Sequence, residues 1–113
     1  MNKETVYKEL HDTINMSPAE LRAWLYTDLA PITVANYPDA PSLDESKKWL
    51  GIVGKSVDEL SNSDCAFAKG MIEHIKFLKG IKSREMHRKL DWENSLRNMG
   101  YDVKRKPLVH RFL

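Results

Sequence analysis

The sequence has little of what several classes of protein require. Its 113 residues include a single cysteine, Cys65, which excludes an intrachain disulfide scaffold and favours a reducing, intracellular setting. No apolar run approaches the roughly 20 residues that a membrane-spanning helix needs. The polar start, MNKETVYKELHD, lacks the apolar segment of a secretory signal peptide. We therefore expect a cytoplasmic protein with no membrane contact.

Patterns that would indicate catalysis or metal binding are also scarce. Cys65 and His74 lie nine residues apart on one predicted helix, half a turn out of phase, so they do not form a nucleophile–base pair. His87 and Asp91 have i, i+4 spacing, but no further residues complete the three or four ligands of a zinc site. Residues 54–56, Gly-Lys-Ser, lack the first glycine of a phosphate-binding loop. We expect a protein that is not an enzyme and uses no metal or cofactor.

Charge, in contrast, is plentiful and unevenly distributed. Residues 1–60 hold 6 Lys and Arg against 10 Asp and Glu, a net charge of −4. Residues 61–113 hold 12 Lys and Arg against 6 Asp and Glu, a net charge of +6. Such asymmetry suggests an anionic partner for the basic half, and nucleic acid is the commonest polyanion that proteins bind.

Apolar spacing predicts an all-α fold of about five helices in a compact bundle. Serine caps followed by an acidic residue, together with glycine stops, set most of the boundaries. In order, the predicted helices are residues 2–15; a helix capped by Ser17 and Glu20 that ends near Thr27; one that starts at Ser42 with Glu45; one capped by Ser61 or Ser63 that ends at Gly80; and one after Ser83 that ends at Gly100, unless Asp91 begins a separate helix.

Two segments fall outside this pattern. Residues 28–42 contain Pro31, Pro38 and Pro41, which predicts a proline-rich loop in place of a helix. Residues 104–113 form a basic, apolar-ended extension to a single helical domain of residues 1–103. The predicted core is Leu21, Trp24, Leu25, Trp49, Phe67, Met71, Ile75, Leu78 and Leu96.

The cations of the basic half gather around the turn between the last two predicted helices and in the C-terminal extension. We expect them to contact phosphates, with weak sequence preference, because no set of side chains here indicates base reading. The candidate nucleic-acid-binding residues are Lys76, Lys79, Lys82, Arg84, Arg88, Lys89, Lys104, Arg105, Lys106 and Arg111.

Two blocks of sequence, MSPAELRAWL at 16–25 and DWENSLRNMGYD at 91–102, resemble an uncharacterised family of small helical proteins found in bacteria and fungi. Looser similarity runs across residues 5–106, and the loop at 28–42 and the end of the chain depart from the family's pattern. Members are sometimes labelled DNA-binding, so the resemblance implies a helical fold and DNA contact, with no catalytic residues to carry over.

Two functions follow from these features. The first is a small, non-enzymatic DNA-binding accessory or regulatory protein that contacts phosphates through its basic half. The alternative is a protein-binding adaptor or inhibitor that uses the 28–42 loop, the acidic N-terminal half and the C-terminal extension. A minor third interpretation is a homodimer built on an exposed Trp or Met stripe.

Overall fold

The structure, a computed structural model, describes residues 2–37, 40–81 and 89–105. All regular secondary structure in these ranges is helical, which confirms the all-α class. The elements are α1 (Lys3–Thr13), α2 (Pro18–Leu25), α3 (Leu29–Asn36), α4 (Leu43–Val53), a short 3-10 turn (Val57–Glu59), α5 (Asn62–Gly80) and α6 (Lys89–Asn98). The described residues thus contain six α helices where the sequence predicts about five.

The predicted capping boxes are confirmed. At the start of α2, the Ser17 hydroxyl accepts the Glu20 amide at 3.1 Å, and the Glu20 carboxylate accepts the Ser17 amide at 2.8 Å. Ser42 and Glu45 make the same reciprocal pair before α4. Of the two candidates for α5, Ser61 is the cap, since its hydroxyl accepts the Asp64 amide at 3.0 Å. Each box satisfies amides that a helix start leaves without an intrahelical partner.

The prediction of a loop over residues 28–42 is wrong, because α3 occupies Leu29–Asn36. Pro31 is only the third residue of this helix, where a backbone N–H would have no intrahelical acceptor. Proline therefore removes no hydrogen bond there. Pro31 lies in the first turn of α3, and the other two prolines follow the helix in sequence. The additional helix, α3, raises the number of helices in the described residues from the predicted five to six.

The fifth predicted helix is described in part, as α6, because residues 82–88 lie outside the described ranges. Gly100 ends this element, as the sequence predicts, through a glycine-terminated cap: the Tyr101 amide donates to the Leu96 carbonyl at 2.9 Å and the Gly100 amide to the Arg97 carbonyl at 3.0 Å. Gly100 has a φ of +92°, a conformation that favours glycine. Most of the predicted extension, residues 106–113, also lies outside the described ranges.

The core matches the predicted set closely. Seven of its nine residues are buried, while Trp24 and Phe67 are half-buried at its margin. Cys65 is buried as well. Three helix pairings surround this core: α1 packs along α5, α2 against α4, and α3 against α6.

The chain after α6 returns to the corner between α1 and α2. The Gly100 carbonyl accepts the Asn15 and Met16 amides, both at 3.1 Å. The Asn15 side chain donates to the Asp102 carbonyl at 2.8 Å and accepts the Asp102 amide at 2.7 Å. Four hydrogen bonds thus hold residues 100–102 against Asn15 and Met16. They position the basic segment that follows residue 102.

Candidate nucleic-acid interface

Two basic stretches that are distant in sequence meet at the C-terminal end of α5. The Lys79 ammonium lies 4.2 Å from the centroid of the Tyr101 ring. The Trp92 indole N–H of α6 donates to the Leu78 carbonyl at 2.7 Å, which holds α6 against the end of α5. The first of these contacts brings Lys79 next to the segment that carries Lys104 and Arg105.

The structure describes half of the ten candidate phosphate contacts. They are Lys76 and Lys79 near the end of α5, Lys89 as the exposed first residue of α6, and Lys104 and Arg105 in the segment after it. The other five lie outside the described residues: Lys82, Arg84, Arg88, Lys106 and Arg111.

Two of the described lysines lie near carboxylates at the outer limit of ion pairing. The Lys76 ammonium is 4.0 Å from the Glu9 carboxylate of α1, and the Lys104 ammonium is 3.9 Å from the Glu93 carboxylate of α6. Both lysine side chains are mostly exposed, at 60% and 67%. The Lys76–Glu9 pair is exposed on both sides, and such pairs contribute only about 0–1 kcal/mol, so a phosphate bound at Lys76 would displace little. The Glu93 side chain is only 7% exposed, so drawing Lys104 away from it costs more than breaking an exposed pair.

Arg105 differs from these lysines because its guanidinium is hydrogen-bonded to two residues of the protein. Both of its terminal nitrogens donate to the Glu20 carboxylate at 2.6 Å, and one also donates to the Asn15 carbonyl at 3.0 Å. The hydrogen bond from Arg105, followed by that from the Ser17 amide, lowers the pKa of Glu20 to about 2. Glu20 in turn raises the pKa of Arg105. The geometry makes Arg105 an anchor for the segment after α6.

Sequence reasoning identified Glu20 only as a helix cap. The capping pattern is local and visible in four residues, but the same carboxylate also binds an arginine 85 residues away. Nothing in the spacing of the sequence marks that second role. A carboxylate of the acidic first half and a guanidinium of the basic second half therefore neutralise each other at the α1–α2 corner.

A second feature missed from the sequence is the buried polar side of α6. Asn98 is fully buried and joins three helices: it accepts the Trp24 indole N–H at 2.7 Å and donates to the Ala30 carbonyl at 3.3 Å. Glu93, Asn94 and Ser95 are buried on the same helix. An asparagine among apolar residues is a weak signal on its own, although Asn98 belongs to the 91–102 block that carries the resemblance.

A shallow groove of about 550 Å³ lies between residues 40–41, the start of α4 and α5. Its ionisable lining residues are Glu45 and His74. The Glu45 carboxylate accepts the Ser42 amide at 2.9 Å, and this backbone hydrogen bond lowers its pKa. A carboxylate held in its charged form by a helix cap is a poor general base. Glu45 is therefore a helix cap in this groove and not a general base.

Within residues 2–37, 40–81 and 89–105, no group of three or more His, Cys, Asp or Glu side chains is arranged to hold a metal ion. No helix in the same ranges is both long and apolar enough to cross a membrane. No family model, curated protein or solved structure matches the chain. Its function must therefore be argued from its own residues.

Proposed function

We propose that this chain is a small cytoplasmic, non-enzymatic DNA-binding protein, with an accessory or regulatory role. The observation that carries the proposal is the contact between Lys79 and Tyr101, since it joins the basic end of α5 to the segment that bears Lys104. Clustered cations are what a phosphate backbone requires, and a single basic stretch would supply fewer of them.

The state of these lysines also supports phosphate binding. Lys76 and Lys104 are mostly exposed and only loosely paired, and Lys79 lies over an aromatic ring whose attraction leaves its N–H groups able to donate elsewhere. Ammonium groups act as point charges on phosphate and read no bases. The proposed binding is therefore dominated by the DNA backbone and weakly selective for sequence.

Arg105 takes a different role in this proposal. Its bidentate pair with Glu20 would have to break before it contacted a phosphate. We assign it to positioning: it fixes the end of the 101–105 segment, which carries Lys104, to the α1–α2 corner. Lys76, Lys79 and Lys104 are the described residues proposed to bind phosphate, and Lys89, exposed at the start of α6, is a fourth candidate.

The test is fluorescence anisotropy with a short labelled DNA duplex of mixed sequence, titrated at several salt concentrations. The variant Lys76→Gln/Lys79→Gln removes two proposed contacts, and Lys47→Gln/Lys48→Gln is its matched control. Both doubles change net charge equally. The α5 double removes one lysine that lies over an aromatic ring, Lys79, and the α4 double removes two. Each lost phosphate contact should reduce the slope of log K against log salt by about 0.9.

The expected result is wild-type binding that weakens steeply with salt, a slope reduced by about 1.8 in the α5 variant, and an unchanged slope in the α4 control. Equal effects of the two variants would show non-specific attraction and contradict the assigned surface. Absence of binding at low salt would refute DNA contact altogether. Protein binding through residues 28–42 would then be the remaining function, and the exposed apolar side of α3 favours it.

A further inference from the structure

Phe77 is an exposed aromatic side chain on the helix that carries two of the proposed phosphate contacts. It is 62% exposed, although phenylalanine is among the residue types most often buried. It directly follows Lys76, which is also mostly exposed. The core side of α5 is formed by other residues, among them Ile75 and Leu78. The ring of Phe77 therefore faces solvent beside a cation that the core does not use.

Lys79, Lys76 and Phe77 follow one another around the circumference of α5. At about 100° per residue, Lys76 lies about 60° from Lys79 and about 100° from Phe77, so the three residues span about 160°. By the same spacing, Gly80 lies between Lys76 and Phe77. No atom approaches within 4 Å of the position that a Cβ of Gly80 would occupy. An open gap therefore leads from the lysines to the ring.

The charges along α5 decide on which side of the Phe77 ring a phosphate would lie. Glu73 is exposed one helical turn before Phe77 and repels an anion. Gly80, three residues after Phe77, bears no charge and lies on the side of the two lysines. A polyanion is therefore favoured at the Gly80 side of the ring, where its phosphates meet Lys76 and Lys79.

A single strand of DNA fits this arrangement and a duplex does not. The bases of a duplex present only their edges in its grooves, so no base face is open to an aromatic ring on a protein surface. A duplex also has a persistence length of about 50 nm and does not bend around a helix roughly 10–12 Å across. The bases of a single strand, in contrast, stack on aromatic side chains while its phosphates follow neighbouring cations.

We infer that the basic end of α5 binds single-stranded DNA in preference to duplex, with one base stacked on Phe77 and the adjoining phosphates on Lys76 and Lys79. The inference rests on the proposed DNA binding and names the form of DNA that this site takes. Every base has a face that stacks, so a ring of this kind adds affinity with little sequence preference. That agrees with the absence of side chains that indicate base reading.

Fluorescence anisotropy with three labelled probes of equal length tests the inference. The probes are a single strand of mixed sequence, the duplex that it forms with its complement, and an abasic strand with the same number of phosphates. The single strand should bind most tightly, whereas attraction to phosphates alone favours the duplex because its charge density is higher. The abasic strand should bind about 5-fold or more weakly than the intact strand, because it has no base to stack.

The variant Phe77→Ala should weaken binding to the single strand about 5-fold or more. It removes no charge, so the slope of log K against log salt should stay the same, as should binding to the duplex and to the abasic strand. Tyr26→Ala is the matched control: Tyr26 is an equally exposed aromatic residue, at 66%, at the end of α2, and its replacement should change none of the three affinities. Both positions are exposed, so both variants should keep the helical circular-dichroism spectrum.

The possible failures of the inference and of the proposed function are distinct. A single strand that binds no more tightly than the duplex would overturn the inference and leave duplex binding standing. The same holds if Phe77→Ala binds the single strand as the wild type does, or if Tyr26→Ala weakens that binding equally. A chain that binds none of the three probes at low salt would refute the proposed DNA binding, and the inference with it.

Discussion

Replacing Gly100 with alanine should destabilise this protein, although alanine usually stabilises. Gly100 has a φ of +92°, and an L-residue in such a conformation costs about 1–2 kcal/mol. The new Cβ would lie 3.2 Å from Ile14 Cγ2 and 3.6 Å from Leu21 Cδ2, both in the core. Strain and crowding together predict a loss of about 2 kcal/mol, or a fall of roughly 8–10 °C in melting temperature.

The consequences should extend beyond the turn itself. The Gly100 carbonyl accepts the Asn15 and Met16 amides, so a shift of residue 100 also disturbs the join between the end of α6 and the α1–α2 corner. Urea denaturation followed by circular dichroism measures the change in free energy of unfolding. Anisotropy titration of the same variant with the labelled duplex tests whether displacement of this segment also weakens the proposed phosphate contact.

Gly70→Ala provides the control, with the opposite sign. Gly70 lies inside α5, and no atom approaches within 4 Å of the Cβ that alanine would add. Alanine should therefore stabilise the helix by about 0.5–1 kcal/mol. A neutral or stabilising effect of Gly100→Ala would refute the reasoning from φ and packing, as would a Gly70→Ala variant that loses stability.

Two further predictions concern buried and ion-paired polar groups. Asn98→Ala leaves the Trp24 indole N–H and the Ala30 carbonyl without their Asn98 partner. Urea denaturation should therefore show that the free energy of unfolding falls by about 2–4 kcal/mol. A fall below about 1 kcal/mol would contradict the assigned hydrogen bonds. The depressed pKa of Glu20 means that its pair with Arg105 stabilises the fold fully above about pH 4.5 and loses that effect as the pH falls toward 2. The difference in stability between wild type and Arg105→Gln should accordingly shrink over that range, and a difference that does not change with pH would contradict the pair.

The parts of the fold that could be predicted are those set by neighbouring residues. Ser17 with Glu20, and Ser42 with Glu45, satisfy helix starts within four residues, so the sequence alone locates them. Gly100 ends its element for an equally local reason, since glycine favours its φ of +92°, and α5 ends at Gly80, where the sequence predicts its end. The apolar spacing of α5 identified Met71, Ile75 and Leu78, three of its six buried residues.

The helix α3 was missed because proline was counted without regard to its position. A proline in the first turn of a helix removes no hydrogen bond, and Pro31 is the third residue of α3. The absence of charge over residues 29–37 indicated a helix better than the prolines excluded one. Apolar residues, however, lie on both the buried and the exposed side of α3. The sequence of α3 therefore lacks the alternation of apolar and polar residues by which an amphipathic helix is predicted.

The candidate site was predictable in composition and unpredictable in arrangement. The sequence shows that the second half is basic, but the pairing of Arg105 with Glu20 joins residues 85 positions apart. Ion pairs of that kind depend on how helices pack. The same packing turned one predicted phosphate contact into an anchor and brought Lys79 beside Tyr101.

The most direct test of the central claim is a heteronuclear NMR titration of the labelled full chain with a short DNA duplex. The account predicts that amide signals at residues 76–79 and 101–104 shift first and most, and that those of α3 and the N-terminal half of α4 do not. Shifts centred on α3 or α4, or no shifts at low salt, would contradict the proposed phosphate contact at the end of α5.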